Sequence, residues 1–251
     1  MADAAAMSGD LLVSSKDVVA ANLELNKIFG TSAKFTGKFA AEFASIKERT
    51  GLSAHAMELF AEKAFLTGTS IEDQLVKVTA VTQELNNQND VAFSAKEIQE
   101  GIAQMSNSQI LNNRMNTKEM ANQVFQAKLL GISQSQLENV QSSLLDFESS
   151  IAAEMKAELL TGKQLNLEGA RAAALSGKQS ELAAEIRKEI GTAAEFSEYN
   201  VIQQEALAAA MGMSRDDMAG MLIEQEKLVK LQNVFGDEVK SVSEAQAKYN
   251  K

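Results

Sequence analysis

The chain contains neither cysteine nor proline in 251 residues. Without cysteine there is no disulfide frame, no thiolate metal site and no cysteine nucleophile. Without proline, no helix is interrupted by a missing backbone donor. The abundance of Ala, Leu, Glu, Lys, Gln and Met then favours helix nearly throughout. Aromatic residues make up only 5% of the chain and tryptophan is absent. No period-2 alternation of apolar residues is evident, so essentially no strand is expected. No apolar run reaches the roughly 18 residues of a membrane span, and no stable membrane insertion is expected.

A basic face is also missing. The net charge is −10, and basic against acidic residues run 6:6 over 1–50, 3:8 over 51–110, 5:7 over 111–170 and 10:13 over 171–251. Duplex nucleic acid and anionic lipid are therefore not expected as partners. The start, Met1-Ala2-Asp3-Ala4, lacks the charged and apolar regions of a signal peptide, so secretion by that route is not expected. The length suffices for one large or two small domains with a buried core.

What the chain has is a recurring joint between helical patterns. It reads Gly51-Leu52-Ser53, Gly68-Thr69-Ser70, Gly131-Ile132-Ser133 and Gly212-Met213-Ser214. Glycine after an apolar helical run suits the left-handed residue that ends a helix. The apolar residue after three of these glycines, Leu52, Ile132 or Met213, can pack back on the finished helix. The serine is an N-cap for the next helix. Three residues further stand Ala56, Asp73, Gln136 and Asp217. Gln136 completes a capping box, and the two aspartates suit the positive end of a helix dipole. Met57, Leu75, Leu137 and Met218 follow as the first core-facing residues. Gly51, Ser53, Gly68, Ser70, Gly131, Ser133, Gly212 and Ser214 are thus candidate structural joints. The spacings of 63 and 81 between Gly68, Gly131 and Gly212 are unequal, which disfavours a solenoid.

The predicted architecture is all-α, an irregular bundle of about nine to twelve helices linked by short Gly-x-Ser turns. Residues 1–12 read as a flexible terminus and 13–105 as an N-terminal helical subdomain. The polar segment 106–116 reads as an irregular connection, 117–235 as a C-terminal helical subdomain and 236–251 as a tail. In the first half, Phe35, Phe39, Phe43 and Ile46 recur at helical spacing and predict a core seam. The turn-forming run Asn86 to Asp90 is expected to break a helix. In the second half, Leu137, Val140, Leu144, Phe147 and Ile151 mark the core face of a single helix of about 28 residues, roughly 42 Å long.

Catalytic patterns are not found. His55 is the only histidine and falls in the first turn after the Ser53 cap, with no partner motif. A di-metal carboxylate bundle needs Glu-x-x-His on two helices, but Leu52 stands three before His55. The row Glu181, Glu185 and Glu189 reads as a solvated helix face. Phosphate loops, dinucleotide fingerprints and EF-hand loops are absent. No catalytic residue, cofactor or metal is predicted, and the chain is not expected to be an enzyme.

One resemblance stands beside this. The words Gly131-Ile132-Ser133, Ser143 to Ile151, Glu154 to Lys163, Leu165 to Glu168, Gly191 to Glu195, Asn200 to Ala208 and Met211 to Ser214 resemble tail tape measure proteins of large tailed bacteriophages. Thr50 to Ser53 and Val91 to Ser94 are similar in kind, and the likeness covers about residues 50–225. It implies a helical virion component inside the tail, made in the host cytoplasm, which sets tube length and leaves ahead of DNA. Its partners would be itself and tail tube or baseplate proteins. A single helix of 251 residues would span about 375 Å, short for such a ruler, so a virion-component role is expected ahead of length-setting. The rival expectations are an intracellular helical binding module, such as an assembly chaperone or scaffold, and a peptidoglycan-cleaving tail enzyme.

Overall fold

A computed structural model describes residues 13–32 and 34–249, with side chains through Asn233. The expected flexible segment 1–12 lies outside the described residues. Among those described, the chain is all-α: fourteen helices and no strand. By internal contacts it forms two compact units, 1–82 with 94–103 and 83–93 with 104–251. The junction at 103/104 precedes the expected connection at 106–116, and 83–93 groups with the second unit.

The first unit holds α1 (Ser15–Ile28), α2 (Gly37–Thr50), α3 (Ala54–Thr67), the first part of α4 (Ile71–Asn89) and α5 (Ala95–Ala103). Helix α1 packs on α2 and α3, and α3 packs on α5. Leu25, Phe43, Ile46, Met57, Phe60, Ile71, Ile98 and Ile102 are fully buried. The predicted seam divides along its length. Phe43 and Ile46 are core, whereas Phe35 and Phe39 are half-buried and join a ring cluster with Phe29 and the exposed Phe65, at centroid separations of 4.9 to 6.3 Å.

The second unit holds the end of α4, then α6 (Asn107–Asn112), α7 (Thr117–Leu130), α8 (Gln134–Leu145), α9 (Phe147–Thr161), α10 (Glu168–Leu175), α11 (Gln179–Glu189), α12 (Ala193–Glu198), α13 (Val201–Ala210) and α14 (Arg215–Tyr249). Helix α9 packs along α13, α7 along α11, and α10 against α8 and α11. The shared core is rich in alanine and leucine, with Leu130, Leu137, Val140, Leu144, Leu182, Ile186, Met211, Met218 and Met221 among its larger members. Small residues let helix axes approach closely, and the leucines fill the remaining grooves.

Several expectations are corrected. The helix count exceeds nine to twelve because two expected units are subdivided. The single 28-residue helix is two helices, since Asp146 (φ −79°, ψ 82°) leaves helical geometry and caps α9 through the Ser149 amide at 3.3 Å. Aspartate competes well for that task because its short carboxylate reaches the orphan amide three residues on. The segment 106–116 is not wholly irregular: Ser106 and Gln109 form a capping box that starts α6. The run from Asn86 does not stop α4, which continues through Asn89 and ends at Asp90 with φ 52°. Asn86 instead holds the following loop, accepting from the Phe93 amide at 3.0 Å and donating to its carbonyl at 2.8 Å. Helix α14 continues through the expected tail to Tyr249.

Lys63 is buried on α3. Burial, with Lys77 adding to it, pulls its ammonium from 10.5 down to about 8. Between those values the unfolded chain binds more protons than the folded one, so folding stability rises with pH across that window. Urea unfolding followed from pH 7.5 to 10.5 is expected to show this rise, and Lys63→Met to flatten it.

Candidate functional site

The four predicted joints have a common local geometry. Gly51, Gly68, Gly131 and Gly212 have φ of 59°, 67°, 83° and 73°. Ser53, Ser70, Ser133 and Ser214 accept from the amides of Ala56, Asp73, Gln136 and Asp217 at 3.2, 2.9, 3.2 and 3.0 Å. Ser53 also gives its amide and hydroxyl to Glu100 at 2.6 and 2.5 Å, which ties this joint to α5.

Two of the joints interlock. After α7, the Ile132 amide reaches the Ala127 carbonyl and the Gly131 amide reaches Lys128, both at 3.0 Å. After α13, Met213 reaches Ala208 at 2.9 Å and Gly212 reaches Ala209 at 3.0 Å. These are the paired bonds of a Schellman end. A Cβ on Gly131 would stand 2.8 Å from the Met221 carbonyl oxygen and 3.1 Å from the Glu224 Cβ. On Gly212 it would stand 2.9 Å from the Ser143 Cβ and 3.3 Å from the Val140 carbonyl oxygen. Val140 and Ser143 lie nine and twelve residues after Gly131 (131 to 140 and 143), and Met221 and Glu224 lie equally far after Gly212 (212 to 221 and 224). Each glycine therefore rests against the helix that begins at the other joint, in the same register. Gln136 donates to Asp217 at 2.8 Å and joins the two N-terminal turns. Hydrogen bonds from Ser214 and then Gln136 hold the Asp217 carboxyl below its usual range.

The interior beside these joints holds a cluster of neutral amides that the sequence reading did not single out. Gln109, Gln123, Gln134 and Gln179 are buried, on α6, α7, α8 and α11. The Gln179 Oε1 accepts from Gln109 and Gln123, each at 2.6 Å. Gln109 also donates to the Gln134 carbonyl at 3.1 Å, and Gln123 to the Gln134 side chain at 2.8 Å. Gln179 donates to Gln141, which reaches the Ala174 carbonyl at 2.9 Å. Asn113 completes the cluster by donating to Gln123 at 2.6 Å. Such a network offers no titrating group; with its amides satisfied it specifies one packing of four helices. Only spatial proximity unites these residues, because 70 positions separate Gln109 from Gln179.

A buried ion pair lies on the inner face of α9. Arg171 meets Glu154 at 2.7 Å and Ser150 at 3.3 Å, while Glu154 also accepts from the Leu167 amide at 2.9 Å. The inner face of α9 is thus Ser150, Glu154 and Ala157. Four of its large apolar residues point the other way, while Leu160 packs against the core: Phe147 is 42% exposed, Ile151 45%, Met155 64% and Leu159 85%. The expected core role of Phe147 and Ile151 is corrected, because the break at Asp146 rotates the pattern away from the face used by Leu137, Val140 and Leu144.

The remaining candidates are dispersed. His55 is exposed and stands 3.9 Å from Glu58. In the glutamate row, Glu181 pairs with Lys178 at 2.8 Å, Glu185 with Lys188, and Glu189 accepts from the Asn166 amide at 3.1 Å. Among the described residues no group of three His, Asp or Glu could hold a metal ion, and no helix is long and apolar enough to cross a membrane.

Gly131→Ala and Gly212→Ala combine a left-handed backbone with a steric conflict, and each is expected to destabilise the second unit by about 2–4 kcal/mol. Gly162 ends α9 at φ 72° with nothing within 4 Å of a Cβ. Gly162→Ala should therefore cost only about 1–2 kcal/mol. Parallel urea titrations of the three variants compare these losses directly. No protein-family model matches the chain, and no curated protein or solved structure matches it.

Proposed function

We propose that the chain is a non-enzymatic structural or assembly protein of a phage tail, acting through helix–helix contacts with tail proteins. The observation that carries this reading is the outer face of α9. Phe147, Ile151, Met155 and Leu159 form an i, i+4 row of apolar side chains that the chain's own fold leaves uncovered. Together they expose roughly 500 Å², the size of the largest apolar patch on an ordinary monomer, which is often functional. The row lies inside residues 140–215, where the resemblance to tail tape measure proteins is moderately specific. The tail assignment rests on that resemblance, and the contact role rests on the exposed row.

A helical protein of this kind would work by shape and burial. In the second unit, the polar groups of the glutamine cluster and of the Glu154–Arg171 pair bond to each other. An assembly chaperone would use the same face but would leave before the particle is complete.

The test is to read the neighbouring genes for tail tube and baseplate proteins and to co-express the chain with them, followed by affinity capture and by immunodetection in purified particles. Capture together with presence in finished tails is the expected result. Met155→Asp should abolish capture without loss of helicity. Capture from lysate with absence from finished particles would move the assignment to the chaperone. No capture of any tail protein would refute the tail role.

A further inference from the structure

We propose that the outer face of α9 pairs with the same face of a second copy of this chain, antiparallel, about a two-fold axis at Ala152. This rests on the reading of α9 as a contact face and not on the tail assignment.

Charge placement selects a second copy as the occupant. Helix α9 carries Glu148 and Lys156 on its exposed side, four residues before and four after the exposed Ala152. They lie about 12 Å apart along the axis at 1.5 Å per residue. Neither makes an ion pair among the described residues. The helix's other two carboxylates are committed, Glu154 to Arg171 and Glu158 to the Leu165 amide at 2.8 Å. An antiparallel two-fold at Ala152 sets Glu148 of one copy against Lys156 of the other, and repeats the contact by symmetry. The small side chain at the centre lets the two backbones approach. A parallel arrangement in register would set Glu148 against Glu148 and Lys156 against Lys156, which is repulsive at both ends.

The apolar row runs beside this charged row with the same four-residue step, so both rows form parallel ridges on one helix surface. Under the same two-fold, Met155 and Leu159 flank the contact, about 60° and 20° round the helix from Ala152 at 3.6 residues per turn, while Phe147, about 140° away, lies outside it. The first turn of α13 also exposes Val201 and Ile202. That turn is held beside the end of α9 by Gln203, which donates to the Leu160 carbonyl at 2.8 Å. Even complete burial of both α9 rows would cover only about 1,000 Å² in total, in the range of weak, transient interfaces. A reversible dimer is therefore expected.

Sedimentation equilibrium on the full chain across a wide concentration range reads this out. The weight-average mass should rise from 27.0 kDa toward twice that value. Met155→Asp should hold the chain at the single mass while its circular dichroism stays unchanged, because the side chain is exposed. Glu148→Lys alone and Lys156→Glu alone each create two like-charge contacts and should weaken association about tenfold or more. An equimolar mixture of the two variants, or both changes in one chain, should restore it. A chain that stays at 27.0 kDa at every concentration overturns the proposal, even if it still captures tail proteins through α9, in which case the contact-face reading survives. Self-association that ignores Met155→Asp, or charge reversals that do not complement, overturn it as well.

Discussion

The second unit depends on a steric constraint at two backbone positions. At Gly131 and Gly212 the chain leaves a helix in the left-handed conformation and also lies against a neighbouring helix, closer than any Cβ permits. Glycine is required twice over, once for the torsion and once for the approach. The two requirements fall together because each joint seats on the helix launched by the other. Helices α7 and α8 are thereby fixed against α13 and α14 without a long loop. The amide–carboxylate bond from Gln136 to Asp217 holds the capping residues of both joints in register.

Around that lock the interior is more polar than a helical bundle of this composition suggests. Leucine and alanine fill most of the core, but four buried glutamines meet among α6, α7, α8 and α11. An ion pair fills the inner side of α9. Amides gain little from burial compared with hydrocarbon, and they demand partners. Their value is in discrimination: a glutamine cluster is satisfied in one arrangement of its helices and leaves buried orphans in others. The Glu154–Arg171 pair acts similarly on α9 and α10. Ser150 and Glu154 take inner positions of α9 beside Ala157, and the large apolar Phe147, Ile151, Met155 and Leu159 lie outward.

That inversion links fold to proposed function. An exposed row from Phe147 to Leu159 is a solvation cost for a lone chain and a resource for an assembling one. The row is bounded by charges of opposite sign placed evenly about a small residue, which is the pattern a self-complementary contact uses. The joints and the glutamine cluster hold the scaffold, and α9 carries Leu159, the most exposed large apolar side chain among the described residues.

Helix ends were legible in the sequence because capping is local. A serine and the amide three residues on, or a glycine and a carbonyl three or four residues back, meet whatever the rest of the chain does. The all-α class follows from the same local preferences, together with the absence of proline and of strand periodicity. The break at Asp146 escaped that reading because a leucine-rich 3-4 pattern continued across it, and one capping carboxylate outweighed the pattern. Which side of α9 is buried could not be read from periodicity, since its apolar and polar residues are mixed around the helix and Arg171 reaches it from another element. The interlock of Gly131 with Met221 and of Gly212 with Val140 also needed the fold. The sequence determined that these glycines end helices; only tertiary packing decided that each must also stay bare, because a contact across 90 residues depends on where two helices meet.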